Sequence, residues 1–323
     1  MRSARAGAGR FFLRLLADIG GTHARFALAQ PGGGYERLRI LPCVQHASLE
    51  QAVHGYLESV GAPRLHDAAI AIAAPIHGDA VRMTNHPWAF SIDGLRASLG
   101  LHALRVVNDL AAVAMAVPTF TSQDIDSVGK GEARPFEPAC VVAPGTGLGV
   151  AGLFHAPDGW KVIASEGGHV AFSPADPAEA EILRFAWREH SRVSAEHLLS
   201  GPGIALIHRA LQAAHGSVTE SIDTSEIVRR ARDGECPLCV EALSQFSAML
   251  GTFAANVAVT FGARGGVYIA GGVVGKLGDQ FDRARFRGRF ESQGGSESHV
   301  ARIPTWLIRR EFPALDGLAA MPF

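Results

Sequence analysis

LLADIGGTHARFAL, residues 15–28, decides the fold of this chain. An apolar run enters a turn of Asp18-Ile19-Gly20-Gly21-Thr22, and a second apolar run leaves it. Phe11–Ala17 reads as a buried strand and Ala24–Ala29 as its return, so the pair predicts a hairpin. The pattern recurs at VVAPGTGLGVAGLF, residues 141–154, around Pro144-Gly145-Thr146-Gly147-Leu148-Gly149. Each turn joins glycine to a threonine hydroxyl, and the first adds a carboxylate. Glycine lets another group approach the backbone closely, so the N–H groups of Gly20, Gly21 and Thr22 can face an anion. Asp18 at a strand end can hold Mg²⁺ through water. Either turn alone is also what a plain hairpin needs. Two such turns, with Gly271-Gly272 after a third strand-like run, point to two half-sites for one phosphate chain.

Neither turn fits the commoner nucleotide motifs. The second lacks the Gly-x-Gly-x-x-Gly spacing between strand and helix, and no Gly-Lys-Ser/Thr follows it. A strand-like run, VAGLF, comes next instead.

Working outward, Ser48–Val60 has helical spacing, and Ala68–Pro75 is a continuous apolar strand of the kind buried on both faces. His102–Val107 is a further strand that ends in Asn108-Asp109, ahead of the helical run LAAVAMAV. An Asp there either presents a base at the carboxyl end of a sheet or caps the helix, and position alone leaves both open. Thr119–Pro138 is polar and rich in Gly and Pro, which marks a domain boundary. The second hairpin unit, Ala139–Phe154, follows. Helical patterns fill much of 177–250, and Gly266–Ala270 is another strand. The two halves begin alike, as a duplicated architecture would.

The whole chain bounds the function. Its 323 residues suggest two domains, and 47% hydrophobic content suits sizeable cores. A formal charge of −1 gives no reason to expect nucleic acid or a membrane surface as partner. Four cysteines are too few for a disulfide scaffold and fit a reducing compartment. Arg2, Arg5 and Arg10 read as a basic tail rather than a secretory signal, because Arg14 interrupts the apolar stretch. Residues 242–261 carry no charge and would span a membrane by length, but Gln245 and Asn256 favour a buried helix. The expected compartment is the cytoplasm.

Ser165-Glu166-Gly167-Gly168-His169 sets a carboxylate and an imidazole on a tight turn, a combination that suits a polyol. Glu196 precedes Leu198-Leu199-Ser200-Gly201 and would by itself read as a solvated helix residue. Cys236-Pro237-Leu238-Cys239 is a lone C-x-x-C that does not specify zinc, and Pro237 suits a first helical turn. The run Arg283, Arg285, Arg287, Arg289 reads as a solvated face.

Taken together these segments resemble the bacterial ATP-dependent glucokinases of the hexokinase-like, actin-fold superfamily. The matching stretches are residues 15–28, 71–92 (AIAAPIHGDAVRMTNHPWAFSI), 106–118 (VVNDLAAVAMAVP), 144–151, 165–174 (SEGGHVAFSP), 193–203 (VSAEHLLSGPG) and 265–274 (GGVYIAGGVV). The resemblance implies a two-domain α/β actin-like (ribonuclease H-like) fold with a duplicated mixed-sheet core and an interdomain cleft. It implies a smaller domain of residues 1–119 completed by about 305–323, and a larger one of 120–304. Asp109 takes the place of the general base on the sugar 6-hydroxyl. Asn108, Asp109, Glu166, His169 and Glu196 take the glucose-binding positions. Ala17, Asp18, Ile19, Gly20, Gly21 and Thr22 form the first ATP loop, with Asp18 near Mg²⁺. Gly145, Thr146 and Gly147 form the second, and Gly271 and Gly272 lie on the adenosine side. A homodimer, ATP with Mg²⁺, glucose as substrate and no structural zinc are also implied.

Four departures stand out. His23 replaces the usual Asn, Ala171 a common Asp, and Pro144 a small residue. The short C-terminus predicts a truncated or frayed last helix. His23 and the short C-terminus motivate an alternative, a catalytically silent sugar-sensing protein on a kinase scaffold. A kinase for fructose, mannose or an N-acetylated hexosamine is the alternative within the class. No helix-turn-helix precedes the kinase-like region, which argues against a repressor.

Overall fold

Contacts divide the chain into two units, one running to Thr119 and resuming at Phe312–Phe323, the other Phe120–Glu311. A computed structural model describes residues 13–84, 86–218 and 220–323. The arginines at 2, 5 and 10 and the expected strand start at Phe11 lie outside the described residues.

The first unit is built on β1 (Leu13–Ile19), β2 (His23–Ala29), β3 (Tyr35–Pro42), β4 (Leu65–Ile72) and β7 (Ala103–Asn108), in the order β3-β2-β1-β4-β7. β5 (Ala80–Arg82) and β6 (Ala89–Ser91) form a separate ribbon. β1 pairs antiparallel with β2 and parallel with β4, and β4 pairs parallel with β7. Leu15, Ala17 and Ile19 alternate with Leu16 along β1 and are all fully buried, so both faces of the sheet are covered. On one side Phe26 stacks on Tyr56 of α1 (Leu49–Ser59), with ring centroids 5.3 Å apart. Ser48 caps α1, its hydroxyl accepting from Gln51 N–H at 3.1 Å. α2 (Ile92–Ser98) leads into β7. On the other side lie α3 (Asp109–Ala116), which continues from β7, and the last helix of the chain, Pro313–Ala320.

That last helix is not frayed, contrary to the expectation from its short length. Leu315 and Leu318 are fully buried against Leu16, Ala69, Ala71 and Ala112. Its packing on α3 is closest at Gly317, where a Cβ would fall 1.8 Å from the Ala112 carbonyl oxygen. The segment returning to this unit starts at Phe312, not near 305, because Thr305–Ile308 is a strand of the other unit.

The second unit repeats the plan. β9 (Ala139–Pro144), β10 (Leu148–Ala156), β11 (Gly159–Ser165), β12 (Gly266–Ile269) and β13 (Thr305–Ile308) run in the order β11-β10-β9-β12-β13, and β8 (Ile125–Ser127) adds an edge. Again an antiparallel hairpin is followed by two parallel neighbours. The helices are α4 (Pro177–Ala186), α5 (Ala195–Leu198), α6 (Gly201–Ala214), α7 (Thr224–Arg232) and α8 (Pro237–Phe261). α9 (Gly272–Leu277), α10 (Arg283–Glu291) and α11 (Glu297–Val300) follow, and Pro313–Ala320 of the first unit is α12. Among the described residues α8 alone is long and apolar enough to cross a membrane, but most of it is buried inside this unit, as its polar residues suggested.

Of the arginine run, Arg283 and Arg285 are exposed as a solvated face would be, but Arg287 and Arg289 are not. Arg287 is buried and donates to the carbonyls of Ile303 and Ala301, each at 2.8 Å, and to Glu291 at 2.6 Å. Arg289 pairs with Asp176 and with the fully buried Glu179. A buried carboxylate needs such a partner, and α10 supplies it to Glu179 of α4 from far away in sequence.

Gly317→Ala should destabilise the chain by about 1–3 kcal/mol, because the Ala112 carbonyl is backbone and cannot swing aside. Gly288→Ala in α10 meets nothing within 4 Å and should be neutral or stabilising. Urea unfolding of both variants reads the contrast.

Candidate active site

β1 and β7 end beside each other's neighbour β4, and each delivers a carboxylate at its carboxyl end. Asp18 lies opposite Arg25 in the β1–β2 register, and their side chains pair at 3.2 Å. Arg25 was not singled out in the sequence, although it stands as far after the turn as Asp18 stands before it. Burial pushes the Asp18 carboxyl up, while Arg25 pulls it back. Oδ2 is committed to Arg25, so Oδ1 is the oxygen that can accept from a metal-bound water.

Asn108 ends β7 and caps α3, its Oδ1 accepting from Leu110 N–H at 3.0 Å and Ala111 N–H at 3.3 Å. Cap and ligand are therefore compatible readings, since the side-chain amide NH₂ can still donate elsewhere. Asp109 follows as the first residue of α3, and its Oδ1 accepts from Leu110 N–H at 2.9 Å. Burial raises its carboxyl to about 6, opposed by that hydrogen bond and helped by the negative charge of Asp18. A carboxylate with a midpoint near neutrality is suited to accepting a proton.

The first glycine turn differs from expectation in its donors. Gly20 N–H closes the turn on the His23 carbonyl at 3.0 Å, so Gly21 and Thr22 are left to face an anion. Ala17 and Ile19 are fully buried in the sheet, and their side chains face no ligand. Gly145 N–H is likewise used within its own turn, bonding the Gly147 carbonyl at 2.8 Å.

In the second unit Glu196 joins the glycine turn to the 165–169 loop. Its Oε2 accepts from Leu148 N–H at 2.9 Å. A Cβ at Gly147 would come 2.4 Å from that oxygen, so a side chain there would displace the Glu196 carboxylate. His169 stands between two acids, with Nδ1 3.7 Å from Glu196 Oε1 and Nε2 3.7 Å from Glu166 Oε2. These spacings exceed hydrogen bonds, so the three side chains form an open set of donors and acceptors. Glu166 and His169 are exposed, as a tight turn predicted. Glu196 is half-buried, and not the solvated helix residue it would be by itself.

A cavity of about 540 Å³ in the same unit is lined by Gly145, Thr146, Gly272 and residues the sequence did not reveal: Thr224, Ser225 and Lys276. Gly201 N–H bonds the Gly145 carbonyl at 2.8 Å, and Thr224 Oγ1 donates to the Gly201 carbonyl at 2.6 Å. The glycine turn, the start of α6 and the start of α7 thus make one wall. Lys276, on α9 after Gly272, offers this cavity a cation; the sequence held that signal in GGVVGK.

Comparison with known proteins identifies the family and the fold. The glucokinase family model matches residues 15–322. A curated glucokinase of Neisseria gonorrhoeae is 46% identical over 95% of this chain and 94% of its own length. The bifunctional protein glk of Paraburkholderia xenovorans is 47% identical over 95% of this chain, which spans only 48% of that protein. Among solved structures, a glucokinase from an Antarctic psychrotroph superposes with a TM-score of 0.90 at 33% identity, covering 96% of this chain and 98% of its own. The duplicated α/β arrangement is the actin-like fold of these sugar kinases.

The Asp109 carboxyl should titrate with a midpoint near 6 in carbon-13 NMR. Asp18→Asn should lower that midpoint, because it removes a like charge. A wild-type midpoint in the ordinary range near ~4 would contradict the burial argument.

Proposed function

Since the chain belongs to the glucokinase family, we propose that it transfers the γ-phosphate of ATP to the 6-hydroxyl of glucose, giving glucose 6-phosphate and ADP. The observation that carries the reading is Asp109: a half-buried carboxylate raised to about 6, at the carboxyl end of β7 and the start of α3. In the reaction the sugar O6–H gives its proton to Asp109 as O6 bonds to the γ-phosphorus. The bond from that phosphorus to the β,γ-bridging oxygen breaks, and ADP leaves. A sugar hydroxyl is a weak acid, so orientation by Asp109 matters alongside basicity. Asn108 donates its amide NH₂ to a neighbouring hydroxyl. Glu166, His169 and Glu196 take the remaining hydroxyls, which both donate and accept.

The phosphates fall to the two glycine turns, through Gly21 and Thr22 in one and Thr146 and Gly147 in the other. Lys276 adds a positive charge, and the wall of Thr224 and Ser225 takes the nucleoside end with Gly271 and Gly272. Asp18 holds Mg²⁺ through water, and the ion, when bound, neutralises charge on the phosphate oxygens. The scarcity of cysteine supports a cytoplasmic setting, and the family resemblance supports a homodimer, which light scattering would test. The longer bifunctional relatives leave open what else is joined to such a chain, so activity and partners are proposed for this chain alone.

A coupled ADP-release assay with glucose and Mg-ATP tests the reading. Turnover is expected; glucose binding without turnover would instead make the chain a sugar sensor. Asp109→Asn should lower kcat by about a hundredfold or more with little change in glucose binding. The base works only when deprotonated, so kcat/KM should fall as pH drops through about 6. Gly147→Ala would push the Glu196 carboxylate aside, and KM for glucose should rise about tenfold with kcat less affected.

A further inference from the structure

The lone C-x-x-C that spoke against zinc in the sequence has a third partner in the fold. Cys236 and Cys239 open α8, and His208 projects from α6. The two sulfurs and a ring nitrogen of His208 all lie within 4.8 Å of one another. We propose that His208, Cys236 and Cys239 form a zinc site of two thiolates and one imidazole, separate from the candidate active site.

The geometry matches that ion. His208 Nε2 is 3.5 Å from Cys239 Sγ. A tetrahedral ion with bonds of about 2.3 Å to sulfur and 2.0 Å to nitrogen has an S···N edge of about 3.5 Å. Cys236 Sγ accepts from Cys239 N–H at 3.2 Å, which turns the first sulfur back over the helix start towards the second. Pro237 holds the turn between them in its helical conformation.

The alternative is that the three side chains merely fill the core, and the imidazole argues against it. His208 is buried; among the described residues its Nδ1 has no hydrogen-bond partner, and Nε2 meets a thiol, a weak partner. A buried ring nitrogen without a partner is costly in a fold that could have placed leucine there. A metal at Nε2 would replace that weak partner with a coordinate bond, leaving Nδ1 to carry the ring proton. Zinc is favoured over harder ions by the thiolates and accepts imidazole equally well.

Cys239 is buried and Cys236 half-exposed, so the open side of the cluster faces solvent at Cys236. Water completes the coordination there. Glu220 and Arg230 face the cluster with opposite charges and are joined to each other at 2.8 and 3.2 Å. On binding, each thiol gives its proton to solvent, so one ion releases two. The ion ties α6 to α8, and α6 begins at Gly201 and Pro202 on the wall of the 540 Å³ cavity. The site is thus placed to stiffen that wall without touching what the cavity holds.

Anaerobic titration of the reduced full chain with Co²⁺ tests the proposal. One equivalent should give tetrahedral d–d bands and sulfur-to-cobalt charge transfer, both displaced by Zn²⁺ with release of two protons. Zinc should also raise the thermal midpoint. Cys236→Ser should cut the charge-transfer intensity by about half and weaken binding at least tenfold, and His208→Gln should weaken it likewise. Should His208→Gln fail to fold, Cys236→Ser, altered at a half-exposed position, carries the test. An absent tetrahedral spectrum, or one unchanged in Cys236→Ser, overturns the proposal. So does an air-formed Cys236–Cys239 disulfide that arises equally in His208→Gln while the reduced chain binds no cobalt, which would leave a redox pair instead.

Discussion

Antiparallel pairing of each hairpin with itself, and parallel pairing of its first strand with the next, is the constraint on which the rest depends. β1 with β2 and β4, and β9 with β10 and β12, are built alike. The register is fixed because a slip of one residue would exchange Leu16 and Ala17 between two covered faces packed for side chains of different size. The same register sets Asp18 against Arg25 and sends β4 and β7 in the direction that brings Asn108 and Asp109 out at the end where Asp18 emerges. The polar groups of the first unit are therefore placed by hydrocarbon packing and the ladder.

The second unit adds a different device. There one carboxylate, Glu196, accepts from the backbone of the glycine turn and faces the imidazole of His169. The second glycine turn and the 165–169 loop meet at Glu196, and the bare Cα of Gly147 leaves room for its carboxylate. Burying a carboxylate without a donor would be unfavourable, and Leu148 N–H supplies one. In the first unit the opposite choice is made. Burial of Asp109, with the like charge of Asp18 nearby, outweighs the hydrogen bonds it accepts, so its proton affinity rises. The two units thus treat acids differently: Asp109 is raised in proton affinity, while Glu196 is tied to a backbone N–H.

Much of this was legible beforehand. The hairpins, the helix after Asp109, the buried α8 and the exposed turn at Glu166–His169 follow from periodicity and turn chemistry, which are local. The missed features share one cause. Arg287 and Arg289 looked solvated because Ile303, Ala301 and Glu179 are remote in sequence. Gly20 looked like an anion donor because its N–H was counted before the turn that uses it was known. The short last helix looked frayed because nothing local shows that Leu315 and Leu318 would be covered.

The sequence by itself determined which segments are strands, where the chain turns, and which acids, amides and glycines stand at strand ends. The family motifs added the kind of chemistry those residues serve. Only the tertiary structure decided which groups are desolvated, which donors are already spent and which distant side chains meet. Those properties depend on distances across the fold: the 3.2 Å from Arg25 to Asp18, the 2.9 Å from Glu196 to Leu148, the 3.5 Å from His208 to Cys239. Proton affinity and coordination both depend on such distances, and spacing along a chain does not fix them when the partner arrives on another element.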